Sequence, residues 1–368
     1  MKILVIGGTG AMGKPLVNML SEAGNEIHVT SRRQRQSRDN IDYIQGNGLD
    51  KDFIRTLINN IKYDAIVDFM VRSRENLMEL LDDFLSKTSQ YIFISSARVY
   101  AESDEPITES TPRLLDVLQD VEYLKTDEYA LAKAREEDLL FNNSRKNFTI
   151  IRPSITYNDN RLQLGVYEKE EWLFRALKKR SIVFSNDLKD KITTMTHGDD
   201  VAKGIVSIIG KKEALGRAFH ITSPQSMAWE RVLNIYKDTL EEELDVKINI
   251  VYTDKSTNFH FPEKKYQLVY CRYFNRTFDN SAISEFLDIS NFKRPEEGLK
   301  ECLRNFLSQR RFNNINGRLE AIHDQITGER IPIRELPSFY SKVTYLLERN
   351  KLGFMISPLT KIAKLIKK

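Results

Sequence analysis

Two side chains near the middle of the chain have the types and the spacing needed to move a proton. Tyr129 and Lys133 stand four positions apart in the segment YALAK, so in a helix they lie on one face, one turn apart. An ammonium group beside a phenol favours the phenolate form. A tyrosine placed in this way can accept or donate a proton near neutral pH, although the pair by itself is common on ordinary helix surfaces.

A second group of residues has the spacing of a phosphate-binding turn. Gly7, Gly10 and Gly13 follow the apolar run at 3–6, and apolar residues at helical spacing come after them. Glycine lets a strand turn tightly into a helix and lets a pyrophosphate approach the main chain at the helix N-terminus. Because strand, turn and helix come in this order, the segment predicts a dinucleotide-binding site.

The glycine turn and the Tyr129–Lys133 pair must be positioned by a folded domain, and residues 1–155 have the sequence pattern of such a domain. Short apolar runs alternate with helical segments, which predicts an α/β fold with a Rossmann-type doubly wound parallel sheet. The predicted strands are 3–6, 26–31, 42–46, 65–70, 91–95, 148–152, 193–196, 217–222 and 247–252, and the main predicted helices are 50–61, 77–85, 126–142, 172–179, 199–209 and 229–240. We expect Asp50 to cap the helix 50–61, and an acid to cap the helix 199–209. Ligands of such sheets lie beyond the carboxyl ends of the strands, so Gly7, Ser31, Asp68 and Ser95 should share one edge.

Composition narrows the classes of protein that fit. The chain has 368 residues, 41% apolar and 29% charged, which is typical of a soluble globular protein. A net charge of +4 is small for this length and does not favour nucleic acid as a partner. The two cysteines, Cys271 and Cys302, are expected to be reduced thiols in a cytoplasmic protein. We expect no membrane span and no metal site, because His197 has no second ligand at metal spacing.

The residues after the second predicted strand bear on the choice of cofactor. A site for NAD usually places a carboxylate there to hold the ribose 2′-hydroxyl. This chain instead has Ser31, Arg32 and Arg33, with no acid before Asp39. Two guanidinium groups suit a 2′-phosphate better than a hydroxyl, so the sequence favours NADP over NAD, with a solvated basic loop as the alternative.

Taken together, the chain resembles the extended short-chain dehydrogenase/reductases of the NAD-dependent epimerase/dehydratase type, which act on nucleotide sugars. The segments that carry the resemblance, in the order of the family, are IGGTGAMG at 6–13, SSARVYAESDEPITE at 95–109, YALAK at 129–133, IIRPSITY at 150–157 and THGDDVAKGI at 196–205. The resemblance implies that Tyr129 is the catalytic acid/base, that Lys133 holds the nicotinamide ribose and tunes Tyr129, and that Ser96 bonds the reacting oxygen.

The resemblance also implies further contacts. Residues implied at the cofactor, beyond those already named, are Ala11, Met12, Asn47, Phe69, Ser95, Arg152 and Pro153, and those implied at the substrate are Arg98 and Tyr100. Phe69 and Met70 are bulky where the family commonly has small residues. The family binds the nucleotide sugar within the polar stretch 158–171, where charge alone makes Arg161 and Lys169 candidates for a diphosphate. Ordinary solvated surface positions remain the alternative for both.

These observations lead to one leading function and one alternative. We expect a dinucleotide-binding domain at 1–155, to which part of 199–222 returns, and a smaller, mixed substrate-binding region at 156–310. The predicted function is an NAD(P)-dependent oxidoreductase or epimerase of a nucleotide-linked sugar, with no nucleic acid partner and with a homodimer left open. Dehydration is least favoured, because the neighbours of Ser96 are not acidic. The alternative is a non-catalytic dinucleotide-binding protein that serves RNA or protein binding.

A C-terminal helical extension is predicted at 311–368. Residues 339–352 and 357–368 can each form an amphipathic helix, and the final stretch PLTKIAKLIKK sets apolar residues against lysines. Such a helix can lie on an anionic membrane surface, or it can pack on the body or on a partner subunit with its lysines in water. The sequence favours the packed arrangement.

Overall fold

The computed structural model describes residues 1–258 and 264–356. The strands within these ranges are β1 (Lys2–Ile6), β2 (Glu26–Ser31), β3 (Ile41–Gln45), β4 (Tyr63–Asp68), β5 (Thr88–Ile94), β6 (Phe148–Pro153), β7 (Thr156–Tyr157), β8 (Ile182–Ser185), β9 (Ile192–Thr193), β10 (Thr196–His197), β11 (Arg217–Ile221), β12 (Met227–Ala228) and β13 (Ile250–Thr253). The α-helices are α1 (Gly13–Glu22), α2 (Lys51–Asn60), α3 (Arg74–Lys87), α4 (Leu114–Val117), α5 (Val121–Leu124), α6 (Tyr129–Phe141), α7 (Lys169–Leu177), α8 (Asn186–Lys189), α9 (Gly198–Ile208), α10 (Trp229–Leu244), α11 (Lys265–Gln267), α12 (Ser281–Ser284), α13 (Pro295–Gln309), α14 (Gly317–Thr327) and α15 (Phe339–Arg349).

Seven parallel strands form the central sheet, in the order β11-β6-β5-β4-β1-β2-β3. The order reverses direction at β1, which lies between β2 and β4, as expected for a doubly wound sheet. The predicted Rossmann-type fold is therefore confirmed. The register places Val5 of β1 beside Val29 of β2 and Val67 of β4, so the carboxyl ends of these strands meet at one edge.

The alternation of side chains along β1 produces the two cores of the sheet. Ile3 and Val5 point into one apolar layer with α1 and α9, whereas Leu4 and Ile6 point into the layer with α2 and α3. All four side chains are fully buried. A strand covered by helices on both faces needs a continuous apolar run, which explains why residues 3–6 carry no polar side chain.

The observed cap agrees with the predicted one at α2 and differs from it at α9. Asp50 caps α2 as predicted, because its carboxylate accepts hydrogen bonds from the main-chain N–H groups of Asp52 and Phe53. The acidic cap predicted for α9 is wrong. His197 occupies that position, and its Nδ1 accepts a hydrogen bond from the N–H of Asp199. The predicted strand 193–196 is divided between β9 and β10.

The chain divides into two compact units. Unit 1 contains the seven-stranded sheet and consists of Met1–Asn158, Ile192–Ser226 and Phe274–Gly298. Unit 2 consists of Asp159–Lys191, Met227–Tyr273 and Leu299–Lys368, and within it β8 and β13 form a parallel pair. Each unit is assembled from segments that are separated in the sequence.

Helices α14 and α15 belong to unit 2 and lie on a small apolar core. That core contains Phe174 of α7, Ala321 of α14 and Tyr345 of α15. A buried ion cluster lies beside it, in which Arg175 binds Glu320 at 3.0 Å and Asp324 at 2.9 Å. Helix α15 covers most of the predicted helix 339–352, whereas the predicted helix 357–368 lies outside the described residues. None of the described helices is long and apolar enough to cross a membrane.

Candidate active site

The glycine turn after β1 leaves open space where a phosphate would lie. Gly7 has a φ of 76°, which favours glycine, and its N–H donates a hydrogen bond of 3.0 Å to Oγ1 of Thr30. A Cβ atom added at Gly10 would meet nothing within 4 Å, whereas one at Gly13 would lie 2.7 Å from the main chain of Gly8. Met12 stands at the N-cap of α1 and makes no side-chain cap. The turn therefore fits a pyrophosphate at the N-terminus of α1.

The same turn also contacts α9. A Cβ atom added at Gly198, the first residue of α9, would lie 2.5 Å from the carbonyl oxygen of Ala11. The backbone of the turn therefore lies directly against the start of a second helix of unit 1.

The end of β2 presents a run of exposed basic residues. Arg32 and Arg33 are exposed, and Ser31 is buried with its Oγ donating to the carbonyl of Arg33 at 2.8 Å. Arg35, which the sequence reasoning missed, donates to Ser31 Oγ at 3.2 Å and lies over the ring of Tyr43. Arg35 follows Arg32 and Arg33 by three and two residues, and this basic run in the sequence could have identified it.

The end of β4 is occupied by a buried charge cluster. Asp68 is 1% exposed and accepts hydrogen bonds from Arg72 at 2.6 Å and from the hydroxyl of Tyr91 at 3.0 Å. Burial raises the pKa of Tyr91 well above its ordinary value. These partners account for a carboxylate inside a sheet, which would otherwise be costly.

The bulky residues that follow Asp68 lie beside the glycine turn. A Cβ atom added at Gly7 would meet Sδ of Met70 at 2.7 Å and Cβ of Phe69 at 3.7 Å. Phe69 is half-buried, whereas Asn47 is exposed and accepts a hydrogen bond from the N–H of Leu49. Phe69 therefore lies near the predicted cofactor position, and Asn47 lies on the surface.

The loop after β5 and the start of α6 come together. Ser96 is buried and its Oγ accepts a hydrogen bond from the N–H of Arg98. The guanidinium of Arg98 pairs with Glu128 and lies 5.3 Å from the centre of the Tyr129 ring. Glu128 also caps α6 by accepting from the N–H of Ala130 at 2.8 Å. Arg98 and Glu128 thus join the serine loop to the half-buried Tyr129.

Lys133, one turn after Tyr129, is bound by a carboxylate. Its Nζ donates to Glu136 at 2.8 Å and lies 4.4 Å from the centre of the Phe93 ring. Both charged side chains are buried, and desolvation raises the pKa of Glu136 despite the neighbouring ammonium. The sequence reasoning missed Glu136, although a position three residues after Lys133 on a helix is the spacing of an ion pair.

Arg152 and Ser95 share a second carboxylate of α6. Glu137 accepts hydrogen bonds from Arg152 Nε at 2.8 Å, from Arg152 Nη2 at 2.7 Å and from Ser95 Oγ at 2.6 Å. The remaining Nη1 of Arg152 donates to the hydroxyl of Tyr100 at 3.0 Å. The sequence assigned Ser95 and Arg152 to the cofactor and Tyr100 to the substrate, and here all three join one buried network.

That network continues to a neutral histidine. Tyr100 also lies 3.2 Å from Nδ1 of His220, and Nε2 of His220 lies 2.6 Å from the carbonyl oxygen of Asp279. Burial lowers the pKa of His220 to about 4. His220 follows Phe219 on β11, and Pro153 follows Arg152 at the end of β6, so both strands contribute to the same edge.

The two diphosphate candidates belong to unit 2, and both lie beside acids. Lys169 is 2% exposed and its Nζ lies 2.6 Å from Glu170, so a solvated surface position is wrong for it. Arg161 is half-buried and lies 3.5 Å from Glu168.

A comparison with known families matches the part of the chain that contains the sheet, the glycine turn and Tyr129. The family model described as the NAD dependent epimerase/dehydratase family matches residues 3–222. The chain belongs to this family.

Individual proteins and solved structures match this chain at low sequence identity. The chain is similar in fold to dTDP-glucose 4,6-dehydratase of Bacillus anthracis in complex with NAD, with 16% identity, a TM-score of 0.62, and coverage of 84% of this chain and 97% of that chain. It is also similar in fold to UDP-glucuronic acid 4-epimerase of Bacillus cereus in complex with UDP-glucuronic acid and NAD. The identity is 18%, the TM-score is 0.62, and the match covers 84% of this chain and 100% of that chain. The chloroplast stem-loop binding protein of 41 kDa b of Arabidopsis thaliana is 25% identical over 245 residues, which are 62% of this chain. The chain spans 60% of the length of that curated relative.

Proposed function

We propose that the protein transfers hydride between a nicotinamide dinucleotide and a carbon of a nucleotide-linked sugar, as an epimerase or as a keto-sugar reductase. The observation that carries this proposal is the meeting of the Ser96 loop with Tyr129 at the carboxyl end of the sheet, joined by Arg98 and Glu128. Family membership supports it, and the two solved structures were obtained with NAD.

Each residue of this proposed site has a role that its chemistry allows. The Tyr129 hydroxyl donates a proton to the sugar oxygen, or accepts one from it, while the Ser96 hydroxyl hydrogen-bonds the same oxygen. The bound dinucleotide supplies or takes up the hydride. The Lys133 ammonium holds the ribose while its charge is balanced by Glu136.

The cofactor is held, in this proposal, by the main chain of the glycine turn and by the basic end of β2. Gly7, Gly10 and Gly13 give the pyrophosphate access to the N-terminus of α1. Arg32 and Arg33 are exposed, and no carboxylate of the described residues pairs with either. Two such guanidinium groups can bind a 2′-phosphate, so we propose NADP as the preferred cofactor.

The proposal is tested by turnover. The purified chain is incubated with UDP- and dTDP-linked hexoses and 4-keto-hexoses, each with NAD(H) or NADP(H), and products are identified by mass spectrometry. Deuterium placed on the reduced nicotinamide reports hydride transfer directly. We expect label on a ring carbon with wild type and with Tyr252→Phe, a control at an exposed tyrosine of unit 2, but not with Tyr129→Phe. Labelling that is equal in Tyr129→Phe overturns the assigned roles. The absence of both label transfer and epimerised product with every sugar overturns the proposed reaction.

A second candidate rests on the curated relative, which is named as a stem-loop binding protein. In this chain the exposed arginines at 32, 33 and 35 offer phosphate-binding groups on one short segment. Fluorescence anisotropy with an RNA stem-loop separates the two candidates. Binding that is weakened by Arg32→Ala with Arg33→Ala, and displaced by NADP, would support nucleic acid binding at the same segment. Binding absent at physiological salt removes this candidate.

A further inference from the structure

Helix α15 has an exposed apolar side, and its opposite side, which packs on the rest of unit 2, is partly polar. Residues Phe339, Tyr340, Val343, Leu346 and Leu347 recur at three- and four-residue spacing, and we call them the outward face. Phe339 is 82% exposed, Tyr340 49% and Leu346 42%. Ser341, Thr344 and Tyr345 form the buried side. This is the reverse of the usual pattern for a surface helix.

The contacts of the buried side fix this orientation. Glu348 accepts a hydrogen bond of 2.7 Å from Arg318 of α14, and the hydroxyl of Tyr345 donates to Asp324 at 2.8 Å. The main chains of α14 and α15 also approach closely, because a Cβ atom added at Gly317 would overlap the carbonyl of Ser341. Turning the outward face inward would break these contacts, so its exposure is a stable feature of the fold.

The chain after α15 extends the apolar surface. Phe354 is 74% exposed, Met355 43% and Leu352 41%. The N–H of Leu352 donates to the carbonyl oxygen of Leu347 at 2.7 Å, so this segment lies against the end of α15. Contiguous exposed apolar side chains mark an interaction surface.

The charges around this surface indicate its partner. Residues 339–356 contain three cations, Lys342, Arg349 and Lys351, and a single acid, Glu348, which is already paired with Arg318. Lys342 and Arg349 are seven residues apart, and so lie along one edge of the outward face. A second copy of the chain would bring these like charges together. An apolar helix face with a basic edge instead has the composition of a helix that lies on anionic lipid.

We propose that α15 and residues 350–356 dock on the surface of an anionic lipid bilayer, with the outward face and Phe354 in the interfacial region. The contact is peripheral, since none of the described helices spans a membrane. It would hold the protein at a membrane without using any residue of the candidate active site.

The test is co-flotation of the full chain with phosphatidylcholine vesicles, with and without phosphatidylglycerol. We expect the wild type to bind the anionic vesicles, to be released by high salt and to bind pure phosphatidylcholine weakly. Phe339→Ser with Phe354→Ser should lower the partition coefficient at least about tenfold, because two exposed rings no longer enter the interface. The matched control is Val117→Ser with Val121→Ser, two exposed apolar residues of unit 1, and it should bind as wild type does.

A charge pair of variants completes the test. Lys342→Glu with Arg349→Glu should lower binding to anionic vesicles at least about tenfold, whereas Lys211→Glu with Lys212→Glu, at exposed lysines of unit 1, should not. Equal binding to neutral and anionic vesicles, or equal loss in the variants and their controls, overturns the proposal. So does a lipid-free, concentration-dependent dimer that Phe339→Ser with Phe354→Ser abolishes, because a second copy would then cover the outward face.

Discussion

The ammonium of Lys133 and the carboxylate of Glu136 form a buried ion pair 2.8 Å long inside unit 1. Neither side chain is more than 2% exposed, and the ring of Phe93 lies over the ammonium. A lysine that contacts a ribose from this position is already bound to an acid of its own helix. In the proposed reaction, Glu136 would therefore be a positioning residue that acts through Lys133.

The pair should be strongly coupled in stability. Removing one partner leaves a buried charge alone, which costs about 3–5 kcal/mol. Lys133→Met and Glu136→Gln should therefore each destabilise the fold strongly, and the double variant should cost much less than the two single variants together. Urea unfolding of the four proteins measures this coupling. Additive effects would show that the two charges do not depend on each other.

Tyr129→Phe keeps the ring under Arg98 and removes the phenolic proton. We expect turnover to fall by about 10²–10⁴-fold, the range contributed by general acid–base catalysis. The dissociation constant of the dinucleotide should change little, since the ring is retained. Stopped-flow hydride transfer and equilibrium titration separate the two effects, and full activity in the variant would falsify the assignment.

The glycine turn offers a matched pair of substitutions. Gly10→Val points into open space, so the fold should be kept while the dinucleotide is excluded. Gly13→Val instead collides with the main chain of Gly8 and should destabilise the protein by about 1–3 kcal/mol or more. Thermal unfolding and cofactor titration of both variants check this contrast. If Gly10→Val binds the cofactor as tightly as the wild type does, the dinucleotide does not bind at this turn.

Cofactor choice should depend on the arginines after β2. We expect NADP to bind more tightly than NAD, and Arg32→Ala with Arg33→Ala to remove the difference, at roughly tenfold for each 1.4 kcal/mol lost. Arg310→Ala with Arg311→Ala, two adjacent exposed arginines of unit 2, is the control. Calorimetric titration of both cofactors measures the preference. NAD bound at least as tightly as NADP would favour an epimerase that retains one cofactor.

His220 should make stability depend on pH. Burial lowers the pKa of His220 to about 4. The imidazole therefore stays neutral in the folded protein at pH values where the unfolded chain, with a histidine pKa near 6.5, binds a proton. As pH falls from about 6.5 towards 4, the unfolded state binds more protons, and the wild type should lose up to about 3 kcal/mol from this group. His220→Gln lacks this contribution. The stability difference between wild type and variant, measured by urea unfolding at each pH, should therefore shrink with acidity; a constant difference would contradict the prediction.

The sequence predicts the sheet well because its strands have a local signature. Residues 3–6 are apolar without interruption, and glycines follow them, so strand, turn and helix can be read within one short segment. The order of strands follows from the doubly wound topology and needs no contact information. The cap of α9 was misassigned because Asp199 is the commoner cap type, while the imidazole of His197 occupies the position.

The partners of the site residues could not be predicted in the same way. Helix α6 buries Lys133, Glu136 and Glu137, although charged residues on a helix usually indicate its solvent face. Lys169 is likewise buried, which excludes the solvated position that its charge left open. Burial of such groups depends on partners from other elements, such as Arg152 of β6 for Glu137, and this information is not contained in the local sequence.

The approach of Gly198 to the carbonyl of Ala11 limits how the phosphate turn can be exchanged. A turn transplanted from another member of the family would bring a backbone that must fit against the first residue of α9, far away in the sequence. Any larger residue at 198 would push that carbonyl out of place. Position 198 should consequently tolerate only glycine while the turn keeps this backbone path, and a chimaera whose new turn lies closer to α9 should bind its dinucleotide poorly.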